Sequence, residues 1–469
     1  MSIKIKITLY LIVYFCVISF YFAKNQKNVI GYENKINASK ITSRSLENKK
    51  TRIAFYDMSW RMFLSYKSGW DNFFLQVSGY YLREIYKFYN QNSESLGNEI
   101  NFGEDDFFSK LIVPKDSSCF IFGDLHADFH GLSKIIISLQ RGNVLDSNLI
   151  LSKGSYLFFL GDYIDRGSDN FKVLSLLMLL WLKNPGYVIL LKGNHESKFK
   201  NKGPYFEYYG KKCKHFGLYS EITKKYCDNS RKYKILKKAF LSFSNSLPLA
   251  CFLGKIQKNK IINFLILSHA AFDIRLDYRI LLNFEGKDKN SLKLCSINNR
   301  DLLISNNLKD WLLKLSLEKN SDIFFEDIIW EQNLLEFIFM RDYFSPKKDS
   351  FYWTDIALKS GKDFFWGERG LNYSLFLINF FLDNYASLKN KYYTRTFIHG
   401  HQHDLPFLMN KVMNVGISIF SIDNFNFITL ISGTFPISYK PILRYFPSFI
   451  CIKNFNKSPD CFVIKPLLF

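Results

Sequence analysis

Short apolar runs along this chain give way, again and again, to compact polar segments that contain glycine. The runs 119–122, 156–160 and 188–191 have the length of buried strands, and a longer apolar stretch, 261–271, reaches through His269. They lead into GDLHAD from Gly123, GDYIDRG from Gly161, GNHE from Gly193 and SHA from Ser268, and a fifth motif, HGHQH, begins at His399. Between them, apolar positions recurring every three or four residues predict helices over 130–139 and 170–182, with another over 70–89 ahead of the first motif. Strands alternating with helices indicate an α/β layered fold.

The residue types in the motifs suit one kind of chemistry. Two divalent ions about 3.5–4 Å apart can clamp a phosphate and activate a water for in-line attack, with no protein nucleophile. Such a centre needs a carboxylate able to bridge, plus imidazole, carboxamide and carboxylate ligands from several segments. Asp124 and His126 stand two apart in a segment read as extended beyond its strand, and Asp162 and Asn194 follow their strands in the same way. Asp or Asn beside Gly is ordinary turn chemistry, and a lone His269 in an apolar stretch reads equally well as a core residue. Five motifs in order, most of them at strand ends, outweigh those readings.

The motif order resembles the calcineurin-like metallophosphoesterase superfamily, and more narrowly its phosphoprotein phosphatases acting on Ser/Thr. Further landmarks are KAFLSFSNSLPLA from Lys238, WTD from Trp353 followed by ERG from Glu368, and FSIDNF from Phe420. The resemblance covers roughly 120–433. It implies a two-sheet β-sandwich flanked by helices, with the active site on loops at the strand ends. It also implies a first metal held by Asp124, His126 and a bridging Asp162, and a second held by Asp162, Asn194, His269 and His401. His403 is either a further ligand or a donor that orients a neighbour. Metal-activated hydroxide is then the nucleophile and His195 the general acid, oriented by Asp165. Arg166, Arg369 and Asn194 contact the phosphate. The two ions are expected to be manganese, iron or zinc. Ala127, Ala270, His399 and Phe425 depart from the family pattern, and mark a divergent member at its substrate-facing rim.

Composition refines this picture. Lys and Arg number 63 against 42 Asp and Glu, a net charge of +21. With no nucleic-acid module and lysine abundant throughout, no nucleic-acid partner is expected. Lys198, Lys200, Lys202, Lys211, Lys212 and Lys214 form a basic cluster after GNHE that reads as a phosphosubstrate attractor or a solvated loop. Apolar residues 7–23 follow Lys4 and Lys6, and bulky Tyr21 makes a poor cleavage site, so an uncleaved anchor or export signal over 1–23 is expected, with an extracytoplasmic catalytic domain. The expected order is then a polar tether over 24–52, an N-terminal helical extension over 53–115 and the catalytic domain over 116–440. That domain carries an insertion near 273–352, and a tail over 441–469 packs back on it. Cys213 with Cys227, and Cys451 with Cys461, are spaced to pair in an oxidising compartment, whereas Cys119, Cys251 and Cys295 read as buried thiols.

The expected substrate is a phosphorylated protein or peptide. A diadenosine tetraphosphatase shares similar motifs and is the competing enzyme; a catalytically silent binding module would have lost ligands, and none of the set is missing.

Overall fold

The computed structural model describes residues 55–67, 69–96, 100, 106–114, 116–197, 205–208, 211–214, 217–227, 230–256, 262–270, 282, 292–296, 355–357, 364–367, 370–374, 392–401, 417–422, 425–430, 432, 436–437, 440–444, 448–453 and 463–468. The expected anchor and tether, most of the 273–352 insertion, Arg369 and His403 lie outside the described residues.

The first described elements are helices α1 (Trp60–Ser65) and α2 (Trp70–Asn92), then strands β1 (Ser93–Leu96), β2 (Phe107–Val113) and β3 (Ser118–Phe122). Next come α3 (Phe129–Arg141), β4 (Ser155–Phe159), α4 (Asn170–Lys183), β5 (Val188–Leu190) and the single turn α5 (Asn194–Ser197). A hairpin, β6 (Tyr205–Tyr208) with β7 (Lys211–Lys214), precedes α6 (Leu218–Lys225), α7 (Arg231–Asn245), β8 (Ala250–Ile256), β9 (Ile262–Ser268) and β10 (Leu292–Ser296). A small sheet follows, formed by β11 (Asp355–Ala357), β12 (Phe364–Gly367) and β13 (Gly370–Ser374). The chain then runs through β14 (Tyr392–His399), β15 (Ile417–Ile422), β16 (Phe425–Leu430), the pair β17 (Pro436–Ile437) and β18 (Lys440–Arg444), β19 (Ser448–Lys453) and β20 (Val463–Leu468).

Two sheets dominate the described residues. One has the order β1-β10-β2-β8-β9-β14-β16-β15 and the other β20-β19-β3-β4-β5. In the second, β3, β4 and β5 are parallel, joined through α3 and α4. In the first, β9, β14 and β16 are parallel. Chain connections that return each strand in the same direction bring their carboxyl ends, and the loops that leave them, to one edge.

Helix α4 explains why the N-terminal helix is needed. Its sequence NFKVLSLLMLLWLK is buried from Asn170 to Leu182 apart from Lys172, and a helix apolar on all faces must be covered on all faces. Helix α2 supplies that cover: Tyr81 meets Trp181 edge-on with ring centroids 5.2 Å apart, Phe88 meets Trp181 at 5.8 Å, and Phe74 meets Phe171 at 5.3 Å. Strand β2 lies between β10 and β8, inside the larger sheet. The expectation of a helical extension ending at 115 is therefore corrected, because residues 93–113 hold strands of the same sheet that carries His269. Polar Ser109 and Lys110 disguise β2 in the sequence. Both are buried, the hydroxyl on Ala250 O and the ammonium on Leu282 O.

The tail enters the fold as well. Strand β19 pairs antiparallel with both β20 and β3, so β3 has a neighbour on each side. Cys227 carries a free thiol, so its expected pairing with Cys213 is not formed; Cys119, Cys251, Cys295 and Cys451 are buried, and Cys461 lies outside the described residues. Among the described residues no helix is long and apolar enough to cross a membrane.

Candidate active site

The five motif loops leave the carboxyl ends of β3, β4, β5, β9 and β14, three from one sheet and two from the other. The chain does not stay extended after β3, as its sequence suggests. It turns at His126 (φ 47°) and Ala127 (φ 54°), and the backbone N–H groups of Leu125, His126 and Ala127 donate to the carbonyls of Asp162 and Tyr163 at 2.8–3.0 Å. Among the described residues eight non-glycines have positive φ, and six of them, His126, Ala127, Asp162, Asp165, Arg166 and His401, belong to these loops. Such left-handed backbone costs energy, and clusters where a site over-determines it. Two glycines admit the close approaches: Gly161 (φ 107°) would place a Cβ 2.6 Å from the Gly193 nitrogen, and Gly400 would place one 2.0 Å from Asp124 Oδ1.

The loops bring their polar atoms to one point. Donor atoms of His126, Asp162 and His195 lie within 4.8 Å of one another, as do those of Asp162, His269 and His401, so Asp162 is common to both groups. His126 Nδ1 donates to Ile164 O at 3.1 Å, which leaves Nε2 facing Asp162 Oδ2 at 3.5 Å and Asp124 Oδ2 at 3.8 Å. Asn194 Oδ1 sits 2.8 Å from His269 Nε2 and 3.2 Å from His401 Nδ1. The backbone N–H of His401 donates to Asp124 Oδ1 at 3.1 Å. Beside this group, His195 Nδ1 and Asp165 Oδ2 are 2.7 Å apart, and His195 Nε2 is 3.8 Å from Asp162 Oδ2.

The electrostatics suit cations. Burial, and Asp162 next to it, push the Asp124 carboxyl well above its ordinary range. Glu196, buried and also near Asp162, is pushed up to about 8. Burial, with the Arg166 charge, holds His126 well below the usual imidazole value, and burial lowers His269. Crowded carboxylates thus face neutral imidazoles whose nitrogens can act as ligands. His269 Nδ1 is buried without a hydrogen-bond partner, 3.7 Å from Asp124 Oδ1, as an atom reserved for a metal would be. The donor set therefore fits divalent metal ions, and Asp162 would be available to both groups. Burial opposes charge on His195, but Asp162 and the hydrogen bond with Asp165 outweigh it and raise its pKa.

Residues 118–405, more than half of the chain, match the family model described as calcineurin-like phosphoesterase. The chain belongs to this family. The phosphoesterase is 33% identical over 120 residues to the serine/threonine-protein phosphatase PP2A-like PPG1 of Saccharomyces cerevisiae, covering 26% of this chain and 27% of that protein. It is 26% identical over 205 residues to the serine/threonine-protein phosphatase 6 catalytic subunit of Caenorhabditis elegans, covering 43% of this chain and 51% of that protein. The chain thus spans about half the length, or less, of these curated relatives. Among solved structures, a yeast protein serine/threonine phosphatase with similarity to human phosphatase PP5 aligns over 84% of this chain and 89% of its own, with a TM-score of 0.45 and 15% identity.

Several residues that shape the site escape a sequence reading. Glu196, the last letter of GNHE, is fully buried and accepts from the N–H groups of Asp162 (2.8 Å), Gly193 (3.0 Å) and Tyr163 (2.9 Å), locking two ligand loops together. Its place inside a motif was the available signal. Ser432 Oγ accepts from Gly123 N–H at 2.9 Å, and its own N–H donates to Asp124 O at 3.1 Å. His399, one of the expected departures from the family pattern, is buried on Phe397, hydrogen-bonded to Thr429 Oγ1 at 3.0 Å and pushed down to about 3 by burial, so it stands as a neutral strut.

Proposed function

We propose that this phosphoesterase is a metal-dependent serine/threonine protein phosphatase. The observation that carries the reading is the convergence of Asp124, His126, Asp162, Asn194, His269 and His401 on one point, with the His195–Asp165 pair at its rim. Asp124 and His126 would complete one metal position with Asp162; Asn194, His269 and His401 would complete the other. When bound, two such ions supply Lewis acidity toward a phosphate and lower the pKa of an adjacent water. With Nδ1 held by Asp165, His195 keeps Nε2 to deliver a proton to the departing oxygen. Arg166 is exposed beside this group and its charge acts on Asp124, His126 and His195, a suitable place to receive phosphate oxygens. Arg369 is proposed as a second phosphate contact, and His403 as a further ligand or orienting donor.

The named relatives favour phosphoserine or phosphothreonine in a protein over a dinucleotide. Manganese and iron are the ions proposed, with zinc also compatible with the donor set. Residues 1–23 are proposed as a membrane anchor or export signal with the catalytic domain outside the cytoplasm; a reporter fused after Phe469 reading cytoplasmic would reject that placement. The purified chain with Mn²⁺ should dephosphorylate a phosphoserine peptide faster than it cleaves diadenosine tetraphosphate. Activity surviving His195→Ala together with chelation would sink the mechanism, and preference for the dinucleotide would sink the substrate class.

A further inference from the structure

Asp165 is the residue that holds the proposed general acid, and its backbone is in the left-handed region at φ 67°. Aspartate enters this region more readily than most L-residues, at a modest cost that fixed surroundings offset. Both carboxylate oxygens and the backbone N–H are held by named partners. Oδ2 meets His195 Nδ1 at 2.7 Å, Oδ1 accepts from the Leu218 N–H at 2.8 Å, and the backbone N–H donates to Asn170 Oδ1 at 2.8 Å. Asn170 is 1% exposed, and its Nδ2 donates to Glu221 Oε2 at 2.9 Å. A carboxylate oxygen on one side and a backbone donor on the other leave the amide a single sensible orientation. Leu218 and Glu221 both lie on α6, so one helix reaches Asp165 directly from its first residue and again, one turn later, through Asn170.

We propose that Asn170 and Glu221 are positioning residues that hold the Asp165 backbone in its left-handed conformation and so aim its carboxylate at His195. The bland alternative is that Asn170 merely opens α4 and Glu221 merely complements the amino end of α6. Against it, the side chain of Asp169, the capping residue of α4, makes no cap hydrogen bond, and the Asn170 side chain turns back to Asp165 instead of serving its own helix. The far end of α6 is fixed too: Lys225 Nζ meets Asp71 Oδ1 at 2.9 Å, and the Tyr226 hydroxyl donates to Asp71 Oδ2. Asp71 belongs to α2, ahead of the residues that match the family model, so the clamp on the acid is braced by the N-terminal helix.

The inference rests on His195 acting as general acid, and the test separates the two claims by leaving group. An alkoxide departing from a phosphoserine peptide needs the proton; the acidic phenol of p-nitrophenyl phosphate hardly does. With Mn²⁺ present, Asn170→Ala and Glu221→Ala should each lower kcat on the peptide by on the order of 10-fold while lowering that on p-nitrophenyl phosphate by less than about twofold. Glu221→Gln, which keeps an acceptor oxygen, should restore most of the peptide rate. His195→Ala is the reference and should show the widest split. If His195→Ala shows none, the general-acid reading fails. If it shows the split but the Glu221 and Asn170 variants slow both substrates equally, or neither, the positioning proposal is overturned. Should Asn170→Ala fail to fold, the Glu221 pair decides alone.

Discussion

Asp71 and Asp124 are both buried aspartates, and they meet opposite surroundings. Burial pushes the Asp71 carboxyl up, but the Tyr226 hydroxyl and the Lys225 ammonium more than offset this and hold it below its ordinary value. Asp124 is pushed up by burial and then further by Asp162, with Glu196 adding to the repulsion. Around Asp71 the chain's own side chains more than offset burial, whereas around Asp124 the His401 N–H and the Arg166 charge offset only part of the burial and the repulsion from Asp162. One region braces the fold, and the other is held by the fold in a state it would not adopt alone.

The comparison breaks most visibly at Asp162, the acid common to both donor groups. Asp162→Asn should cut phosphatase activity by more than the about 100-fold that losing even an outer partner of a ligand can cost. It should also abolish the rise in melting temperature that Mn²⁺ gives the unaltered chain, about 2.7 kcal/mol at a hundredfold excess over Kd. Thermal melts with and without chelator check both halves. Glu196→Gln comes next. It places an amide among three backbone donors that now share the Glu196 carboxyl group, and each donor left unpaired costs about 1–3 kcal/mol. Denaturant unfolding should show that loss with or without metal.

The smallest effect belongs to Asp71. Its Lys225 partner is 56% exposed, so Asp71→Asn should cost only about 1 kcal/mol. The folded pKa of Asp71 lies below its unfolded value. The ion pair's contribution is therefore fully present above about pH 4 and fades as pH falls through the depressed folded value, where the variant and the parent should converge. A gap that persisted at pH 2 would show that Asp71 acts by shape rather than by charge.

Sequence made the motif loops legible because each follows a short apolar run whose length and β-branched or aromatic content favour a strand. The runs 119–122, 156–160 and 188–191 emerge as β3, β4 and β5 within one residue at each end. The periodicity of 70–89 likewise gives α2, which the structure extends to Asn92. What covers α2 could not be read, because a helical stripe says that a face is buried and not against what. The near-complete burial of α4 from Phe171 to Leu182, Lys172 apart, is settled only when α2 is laid beside it. Strand β2 was hidden by Ser109 and Lys110, whose polarity is answered by partners remote in sequence. Glu221 gave no signal, since nothing local ties it to Asn170, 51 positions away.

Strand β3 carries the first ligand loop, yet the atoms that close around it are made very late. Gly123 is bonded to a serine 309 positions farther along, and β19, its lateral neighbour, comes later still. At a synthesis rate of about 5–20 residues per second, those 309 positions correspond to about 15–60 s during which a nascent chain can assemble β3, β4 and β5 but must leave β3 as a bare edge. An uncovered edge of this kind is open to pairing with any neighbouring chain. The motif loop after β3 is therefore closed only once Ser432 and β19 have been made, and until then the strand that carries it is exposed to the same hazard.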